Sequence, residues 1–571
     1  MKMRSIALAL GALALVAPAC GSDDNGNAGS STNTTLASPA TTVASGNGET
    51  AGTTAPAVTN EPATTEAPST PEGDPDAVLR VGYHFLRSGS YSFDQLLYNG
   101  NNASVWMYQV FAPLVNVDPN TLEYTPYLAE SFEVIDPQTL EMTLRPDATF
   151  HDGRPVTAED AKFSLEKARD NQAEGLNNLN GSIQLVASVE VVDDLTYRVV
   201  FSKPAVLTMY EMMAGPEMFI SPADSGAEQA TNPIGNGRFR FVSHVQDQKF
   251  TLERWDDFFD AATTPYGGIE FVNLTPGAAQ TSALLAGDID VANDVGVEGY
   301  EAIEASDAGE AFAVVGNVRY SFINLCGAPG YFWESADLRL AVEVGTDREQ
   351  LNEALYNGLG SSMNQFFPKG HPYHDDALDE EYAYDPDRAR ELRVQAGVEE
   401  GATDGFFATN ALPESEDLGL LLNQQWGEWG INLEVIPSDD LVGDFLLPAM
   451  NEPFQLDRGH SAMIENTRSG LQRLTRQSDL KSIVNSCLYA NPRFAEIAEE
   501  IPALNPDNPK AAALWKEASR IAIEDGYFVI LNQKPNFPAV SARVGGVDSQ
   551  GDFHGSTEGG YQYDEWFIKT S

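Results

Sequence analysis

The chain has 571 residues, of which 84 are acidic and 34 basic, giving a formal net charge of −50. This charge excludes nucleic acid and anionic lipid surfaces as partners, because both would be repelled. With 42% hydrophobic and 10% aromatic residues the composition is that of a globular protein, and the length predicts more than one lobe.

The first twenty residues have the pattern of an export signal. Lys2 and Arg4 precede an apolar run over 6–16, which is shorter than the roughly 20 residues needed to span a bilayer. Small residues then precede Cys20, a pattern that resembles a bacterial lipobox. The resemblance implies that residues 1–20 are a signal peptide and that Cys20 is lipidated. The alternative is an ordinary signal peptide in which Cys20 is incidental.

Residues 21–76 are predicted to form a disordered tether. Positions 21–74 contain no Lys, Arg or aromatic residue and consist mainly of Thr, Ala, Ser, Gly, Pro and Asn. Such a segment cannot bury enough apolar surface to offset the entropy of ordering it. A flexible chain of this length has a root-mean-square span of about 40 Å. No later segment predicts a transmembrane helix, so membrane contact is expected through the lipid anchor only.

The body begins with an alternating, strand-like run over 78–82, and period-two alternation predicts a pair of strands over 127–134 and 140–145. Thr157 and Asp160 have the spacing of a helix capping box. Helix stop signals and periodicity then predict further elements in this order: helices over 278–286, 337–344, 347–357 and 386–396, and a strand over 430–436. In the 347–357 helix, Leu351, Ala354 and Leu355 are predicted to face inward. Strands alternating with helices predict a mixed α/β architecture.

Two cysteines follow Cys20, at positions 326 and 487. An even pair in an exported, oxidising compartment favours a disulfide bond between Cys326 and Cys487. Two buried free thiols are the alternative.

Collinear motifs across the body resemble the family 5 extracellular solute-binding proteins, the dipeptide- and oligopeptide-binding group. The strongest is Phe150-x-Asp-Gly-x-Pro-Val-Thr-Ala-Glu-Asp-Ala-x-Phe-Ser164. Supporting stretches follow in family order, at 233–239, 284–291, 323–324, 338–342, 346–349 and 384–392. The resemblance covers about residues 78–545.

This resemblance implies an α/β, periplasmic-binding-protein-like fold, with two lobes of mixed sheets, an extra domain, and a ligand cleft between the lobes. The implied domains are lobe I from 77–109, 216–322 and 531–571, the extra domain from 110–215, and lobe II from 323–530. It further implies a monomeric substrate-binding component of an ABC importer, not an enzyme, that captures peptides or a similar small organic solute without a cofactor. Its partners would be the permease subunits, at the outer face of the cytoplasmic membrane, on the cell surface or in the periplasm.

The expected ligand contacts come from both lobes. From lobe I they are the residues after the first strand, Tyr83, Phe85, Trp106 and Tyr108, and Asn324 is expected on the crossover. From lobe II they are Asp457, Arg458 and His460. Peptide binders of the family carry Trp and Asp in this last stretch, but residues 454–463 lack Trp and Asp457 precedes the glycine. A sugar, opine or metal chelate therefore stays an alternative ligand, and Arg458 would favour an anion.

Other function classes are weaker. A secreted hydrolase would need an activated nucleophile, and the sequence lacks a Gly-x-Ser-x-Gly elbow. A structural or adhesive surface protein would suit the anchor and tether, but has no reason to carry the collinear motifs. His371, His374, Asp375 and Asp376 lie close together in sequence, yet Pro372 predicts a loop. We therefore expect an exposed acidic loop there and no metal.

Overall fold

The computed structural model describes most of the chain after position 72. The described residues are 73–83, 93–97, 104–117, 123–174, 181–315, 320–327, 329–409, 414–438, 461–466, 490–505, 508–547, 563 and 566–569. They all belong to one compact unit, residues 70–571. Among them, no helix is both long and apolar enough to cross a membrane. Outside the described residues lie the signal peptide, nearly all of the predicted tether, and Cys20, Phe85, Asp457, Arg458, His460 and Cys487.

The strands of the described residues are numbered in chain order. They are β1 (Val78–Tyr83), β2 (Val115–Val117), β3 (Tyr124–Pro126), β4 (Ala129–Asp136), β5 (Thr139–Leu144), β6 (Val186–Val191), β7 (Thr196–Phe201), β8 (Phe239–Val245), β9 (Lys249–Arg254), β10 (Gly268–Asn273), β11 (Val291–Ala292), β12 (Gly309–Ala311), β13 (Tyr320–Asn324), β14 (Ser361–Ser362), β15 (Ala402–Thr409), β16 (Ile431–Ser438), β17 (Ser461–Asn466), β18 (Phe528–Gln533), β19 (Ala539–Ser541), β20 (Val544–Gly545) and β21 (Phe567–Ile568).

The α-helices are numbered in the same way. They are α1 (Ser104–Val110), α2 (Ala158–Ala173), α3 (Val206–Ala214), α4 (Ala278–Ala286), α5 (Gly296–Glu304), α6 (Ala336–Val344), α7 (Arg348–Tyr356), α8 (Asp376–Glu381), α9 (Pro386–Gln395), α10 (Ser415–Trp429), α11 (Pro492–Glu500) and α12 (Pro509–Asp525).

The first large sheet has seven strands in the order β12-β19-β11-β1-β10-β9-β8. Its central strand β1 runs parallel to both neighbours, β10 and β11. Leu79 and Val81 point to the same face of the sheet, because side chains alternate along a strand. Both are fully buried. This burial fixes β1 in the middle of the first lobe.

A separate four-stranded sheet, β4-β5-β7-β6, lies in the region predicted as the extra domain. Its buried residues form one continuous apolar cluster with those of the seven-stranded sheet, including Met142 and Val199 on one side and Leu79 and Phe271 on the other. The 110–215 region therefore shares a core with the first lobe.

The second large sheet has six strands in the order β14-β18-β13-β17-β15-β16. Strand β15 is parallel to β16 and β17, and β13 is antiparallel to β17 and β18. Helix α10 packs on β15 and β16, burying Trp426 and Trp429. These two rings, with Trp333, form the centre of the second lobe's core.

The chain passes from the first large sheet to the second between β12 and β13 and returns between β18 and β19, and these two connections are called the crossings. The domain boundaries predicted at 322/323 and 530/531 instead fall inside β13 and β18. These strands pair with each other, with Phe322 opposite Ile530 and Ile323 opposite Val529. A boundary inside either strand would divide this hydrogen-bonded pair of strands between two lobes. The crossings therefore lie before β13 and after β18.

Most of the predicted local elements are confirmed. Thr157 caps α2 in a capping box with Asp160, and Gly287 ends α4 in the left-handed region at φ 76°. Ala354 is the exception: it is exposed, while Leu351 and Tyr356 are buried on α7. The helix is rotated toward Tyr356, whose larger ring gains more from burial than the Ala354 methyl.

Candidate functional site

The parallel strands of the first sheet end together at one edge. Tyr83, Asn273 and Ala292 are the last residues of β1, β10 and β11, and the register places Tyr83 directly beside Asn273. Ligands of open α/β sheets bind outside the carboxyl ends of the strands. This edge is therefore the first wall of the candidate site.

The second sheet has a corresponding edge. Strands β15, β16 and β17 are parallel and end at Thr409, Ser438 and Asn466. Because β13 is antiparallel to β17 and β18, Gln533 at the end of β18 lies on the same side of the sheet. This edge is the second wall.

Both crossings join these two edges. Ala311, at the end of β12, lies opposite Ala539 at the start of β19, and Ala539 lies opposite Ala292. The crossings leave the first sheet there and enter the second sheet beside Tyr320 and Gln533. The carboxyl edges of both sheets therefore meet at the crossings, and the space between them is the candidate ligand cleft.

The turns at the first edge are held by a polar network. Gln280 is fully buried and accepts from the backbone N–H of Asp294 at 3.1 Å. Asp294 accepts from the N–H of Gly296 at 3.0 Å, at the start of α5. The side-chain amide of Asn536, on a crossing, donates to the carbonyl of Asn293 at 3.1 Å. The first wall is thus tied to the crossing by hydrogen bonds.

The second edge carries a row of buried polar side chains across three strands. Ser362 lies opposite Asn532, and Asn532 lies opposite Ser321. Ser321 and Asn532 are each 1% exposed. The Oγ atoms of both serines and the Oδ1 atom of Asn532 are buried without a hydrogen-bond partner among the described residues. A buried acceptor costs free energy unless a donor reaches it, so this row suits a ligand or a water that offers N–H or O–H groups.

A partly buried ion pair lies next to this row. Lys534 directly follows β18, and its Nζ lies 2.6 Å from Oε1 of Glu414, the residue before α10. The two side chains are only 13% and 15% exposed. The pair therefore fixes the start of the crossing to the second lobe.

The predicted aromatic contacts of the first lobe lie largely within its core. Tyr83 ends β1 at the first wall, but it is 6% exposed and meets Phe271 edge to face at 6.4 Å. Trp106 packs against Phe93. The Tyr108 hydroxyl donates to the carbonyl of Ala214 at 3.0 Å. Tyr83 is the member of this group that the strand register places at the cleft, and the ligand role of all three stays a prediction.

The prediction from the sequence that Asn324 lies on a crossing is wrong. It is the last residue of β13, opposite Phe528, the first residue of β18. The crossing enters β13 at Tyr320, four residues earlier, and a strand rises about 3.3 Å per residue. Asn324 is therefore about 13 Å from the crossing edge, and it is buried.

The strongly perturbed titratable groups have structural partners. Burial lowers the pKa of His151 to about 4. Its ring bridges two backbone groups, with Nδ1 accepting from the N–H of Gly235 and Nε2 donating to the carbonyl of Gly237. Burial also raises the pKa of Glu343 to about 7, and its carboxylate pairs with Arg348 at 2.6 Å. Neither arrangement contains a nucleophile beside a base.

The segment over 371–376 differs from the exposed acidic loop predicted for it. The His371 ring stacks on Phe367 at 4.4 Å, and His374 is 8% exposed. Phe367, Tyr373 and Trp515 form an aromatic cluster beside the loop. The apolar surface of these rings holds the histidines inward.

The polar row and the Lys534–Glu414 pair were not predicted from the sequence. A signal for the row was present, since Ser321 and Asn532 interrupt otherwise apolar strand runs. No sequence signal indicated the pairing of Lys534 with Glu414, because it depends on how β18 and α10 meet.

Comparisons with known proteins give a consistent result. A family model described as bacterial extracellular solute-binding proteins, family 5 Middle, matches residues 123–459, more than half of the chain. The glutathione-binding protein GsiB of Pectobacterium atrosepticum is 23% identical over 378 residues, which cover 64% of this chain and 69% of the relative. The dipeptide-binding protein of Escherichia coli is 24% identical over 496 residues, which cover 81% of this chain and 90% of the relative.

Among solved structures, the ABC transporter substrate-binding protein CtaP of Listeria monocytogenes aligns with a TM-score of 0.74 at 20% identity. The alignment covers 87% of this chain and 100% of that one. At this identity the likeness concerns the fold alone. It confirms the predicted α/β architecture with two mixed sheets.

Proposed function

We infer the function from family membership, because the chain belongs to the bacterial extracellular solute-binding proteins, family 5. We propose that it is the substrate-binding component of an ABC importer and captures a peptide or a similar small organic solute. The observation that carries this proposal is the meeting of two carboxyl edges at two crossings.

Lobe closure is the proposed mechanism. A ligand that binds the closed arrangement better than the open one shifts an existing equilibrium between them. Catalysis is not required, because the importer permease would respond to the closed form. The two crossings provide the hinge.

Contacts between the lobes away from the crossings would have to adapt to such a movement. The side-chain amide of Asn357, at the end of α7, donates to Oε1 of Glu301 on α5 at 2.8 Å. Lys203, just before α3, forms an ion pair with Glu499 on α11. Exposed pairs of this kind are each worth about 1 kcal/mol or less, so they are compatible with opening.

A peptide is the favoured ligand. Two relatives are named for glutathione and for dipeptides. The buried oxygen atoms of Ser321, Asn532 and Ser362 have no hydrogen-bond partner among the described residues. A peptide offers amide and ammonium N–H groups that could donate to them. A sugar, opine or metal chelate stays the alternative, because hydroxyl or amine groups would also serve this row. The other seven ligand contacts predicted from the sequence belong to this proposal, and Asn324, at the opposite end of β13 from the crossing, does not.

Anchoring through lipidated Cys20 and a monomeric state complete the proposal. Both rest on the sequence. A hydrolase is the alternative from another class, and peptide cleavage products would reveal it in the same binding assays.

A matched pair of serines tests the proposed cleft. Ser321 in the row and Ser519 on α12 are both 1% exposed, and both carry a buried Oγ without a partner among the described residues. Ser321→Ala should weaken binding of glutathione or of the best binder in a di- and tripeptide set at least fivefold. Ser519→Ala should leave the affinity unchanged, as measured by calorimetry.

Two results would contradict the proposal. If no peptide raises the melting temperature while a sugar or opine does, the peptide assignment is wrong. If both serine variants bind alike, the row is not part of the cleft.

A further inference from the structure

His374 is a buried imidazole that faces two carboxylates. Its Nε2 atom lies 2.9 Å from Oδ2 of Asp379 and 3.6 Å from Oδ1 of Asp376. One ligand atom from each of these three residues lies within 4.8 Å of the others. The group lies between the loop over 371–375 and α8.

The other ring nitrogen fixes the tautomer of His374. Nδ1 lies 3.0 Å from the carbonyl oxygen of Phe367. A carbonyl can only accept a hydrogen bond, so Nδ1 carries a proton. In the neutral ring Nε2 then presents its lone pair to the carboxylates of Asp376 and Asp379. Acceptors facing one another in this way need a proton or a metal cation between them.

The surroundings orient the carboxylate as they do at protein metal centres. Gln365 is 1% exposed, and its side-chain amide donates to Oδ1 of Asp379 at 2.7 Å, leaving Oδ2 toward His374. The same Gln365 side chain bonds the backbone N–H and carbonyl of Asp375. Hydrogen bonds of this kind to ligating side chains hold metal sites in shape.

We propose that His374, Asp376 and Asp379 bind one divalent transition-metal ion of the Zn²⁺ class. Bonds of about 2.1 Å to nitrogen and oxygen separate neighbouring ligand atoms by about 3.0–3.4 Å. The observed 2.9 and 3.6 Å lie on either side of this range. Imidazole favours Zn²⁺ over Mg²⁺ and Ca²⁺, which prefer all-oxygen sites.

The site has an open side. The side chain of Asp376 is 79% exposed, whereas that of His374 is 5% exposed. The ion would enter past Asp376, with water completing its coordination. It would then tie the loop to α8 on the surface of the second lobe.

His371 and Asp375 are close in sequence but do not face the site. Nδ1 of His371 accepts from the N–H of Tyr373 at 3.1 Å, and its ring stacks on Phe367. The carboxylate of Asp375 accepts from the N–H of Ala377. These residues are therefore matched controls for His374 and Asp379.

Zn²⁺ titration of the EDTA-treated whole chain tests the proposal by calorimetry. Millimolar Mg²⁺ should be present, because a chain of net charge −50 attracts cations without a site. The parent should bind one Zn²⁺ per chain and melt at a higher temperature with it. His374→Gln and Asp379→Asn should each weaken binding at least tenfold, and His371→Gln and Asp375→Asn less than twofold.

X-ray absorption of the Zn²⁺-loaded parent should show one imidazole among oxygen ligands. Circular dichroism of each variant establishes that it is folded before titration. Absence of saturable Zn²⁺ binding in the presence of Mg²⁺ would overturn the proposal. So would a loss of binding in His371→Gln equal to that in His374→Gln, because the ligands would then be different ones.

Discussion

Val314 and Asn536 pair across the two crossings. Each backbone N–H donates to the other's carbonyl at 2.9 Å, in an antiparallel bridge outside the named strands. Their neighbours continue the link, since the N–H of Phe312 donates to the carbonyl of Pro538. The two segments that join the sheets are therefore coupled to each other, and a lobe movement has to bend them together.

Replacing Asn536 with proline should loosen this coupling. Proline has no N–H, so the carbonyl of Val314 loses its donor, at a cost of about 1–3 kcal/mol in the free energy of unfolding. Asn536→Ala keeps the backbone bridge and removes the side chain with its bond to the carbonyl of Asn293, so its cost should be smaller. Urea denaturation measures both. Faster hydrogen exchange around 309–315 in the proline variant alone would locate the effect, and equal costs would contradict it.

Asp290 is predicted to be the most sensitive carboxylate of the first sheet. It is fully buried and accepts from Nε and Nη2 of Arg80 and from Nη1 of Arg543, at 2.9–3.0 Å. Asp290→Asn removes the carboxylate that both guanidinium groups share; because these groups are 28% and 51% exposed and water can reach them, it should cost about 1.5–3 kcal/mol. Asp288→Asn, two residues away and exposed, should change stability by about 0.5 kcal/mol or less. Thermal and urea unfolding of the two variants test this, and similar melting temperatures would refute it.

The buried carboxyl group of Glu343 should make the free energy of unfolding depend on pH. Burial raises its pKa from 4.5 to about 7, against the opposing effect of Arg348. Between these values the folded state binds more protons than the unfolded state, so stability falls as pH rises from 4.5 to 7. Glu343→Gln removes this titration, and relative to it the parent should lose up to about 3 kcal/mol over that window.

Urea unfolding at pH 4.5, 5.5, 6.5 and 7.5 measures the difference between parent and variant. Glu349→Gln, an exposed neighbour on α7, should run parallel to the parent at every pH. A parent that gains stability over Glu343→Gln as pH rises would show that the shift has the opposite sign.

Local signals in the sequence predicted the local structure well. The spacing of Thr157 and Asp160 predicted a capping box, and Asp385 with Pro386 predicted the start of α9, because a cap depends on three or four neighbouring residues. Period-two alternation likewise predicted β4 and β5 as a pair.

Contacts between residues that are distant in the sequence were predicted less well. Asn324 was placed on a crossing because the family order locates the crossover only to within a few residues, whereas the structure begins β13 at Tyr320. Lys534 and Glu414 are 120 positions apart, and only the folded chain brings them together. The polar row of Ser321, Asn532 and Ser362 depends on strand register, which a single sequence does not determine.

The capping box should contribute measurably to α2. Thr157→Ala removes the hydroxyl that accepts from the N–H of Asp160, which should cost about 1 kcal/mol. Asp160→Ala should cost more, because this carboxylate accepts from the N–H groups of both Thr157 and Ala223. Glu159→Ala in the same turn is exposed and should have the smallest effect. Chemical denaturation ranks the three, and any other order would contradict the cap assignment.

The disulfide of Cys326 gives the final prediction. Cys326 is fully buried and disulfide-bonded, while its expected partner, Cys487, lies outside the described residues. Because the chain has three cysteines, a Cys20→Ala background leaves just this pair. Thiol labelling of that protein, denatured without reductant, should find no free thiol, and peptide mapping should recover the 326–487 link. Labelling of two thiols would contradict the bond.

Stability measurements on the same background separate the bond from the packing of either side chain. Removing a native disulfide costs about 2–5 kcal/mol, mainly because the unfolded chain gains freedom. Cys326→Ser and Cys487→Ser should each lower the free energy of unfolding by a similar amount. The double variant should be no less stable than the worse single variant, since both substitutions break one bond. Additive losses would mean that the two cysteines act independently and that the pairing is wrong.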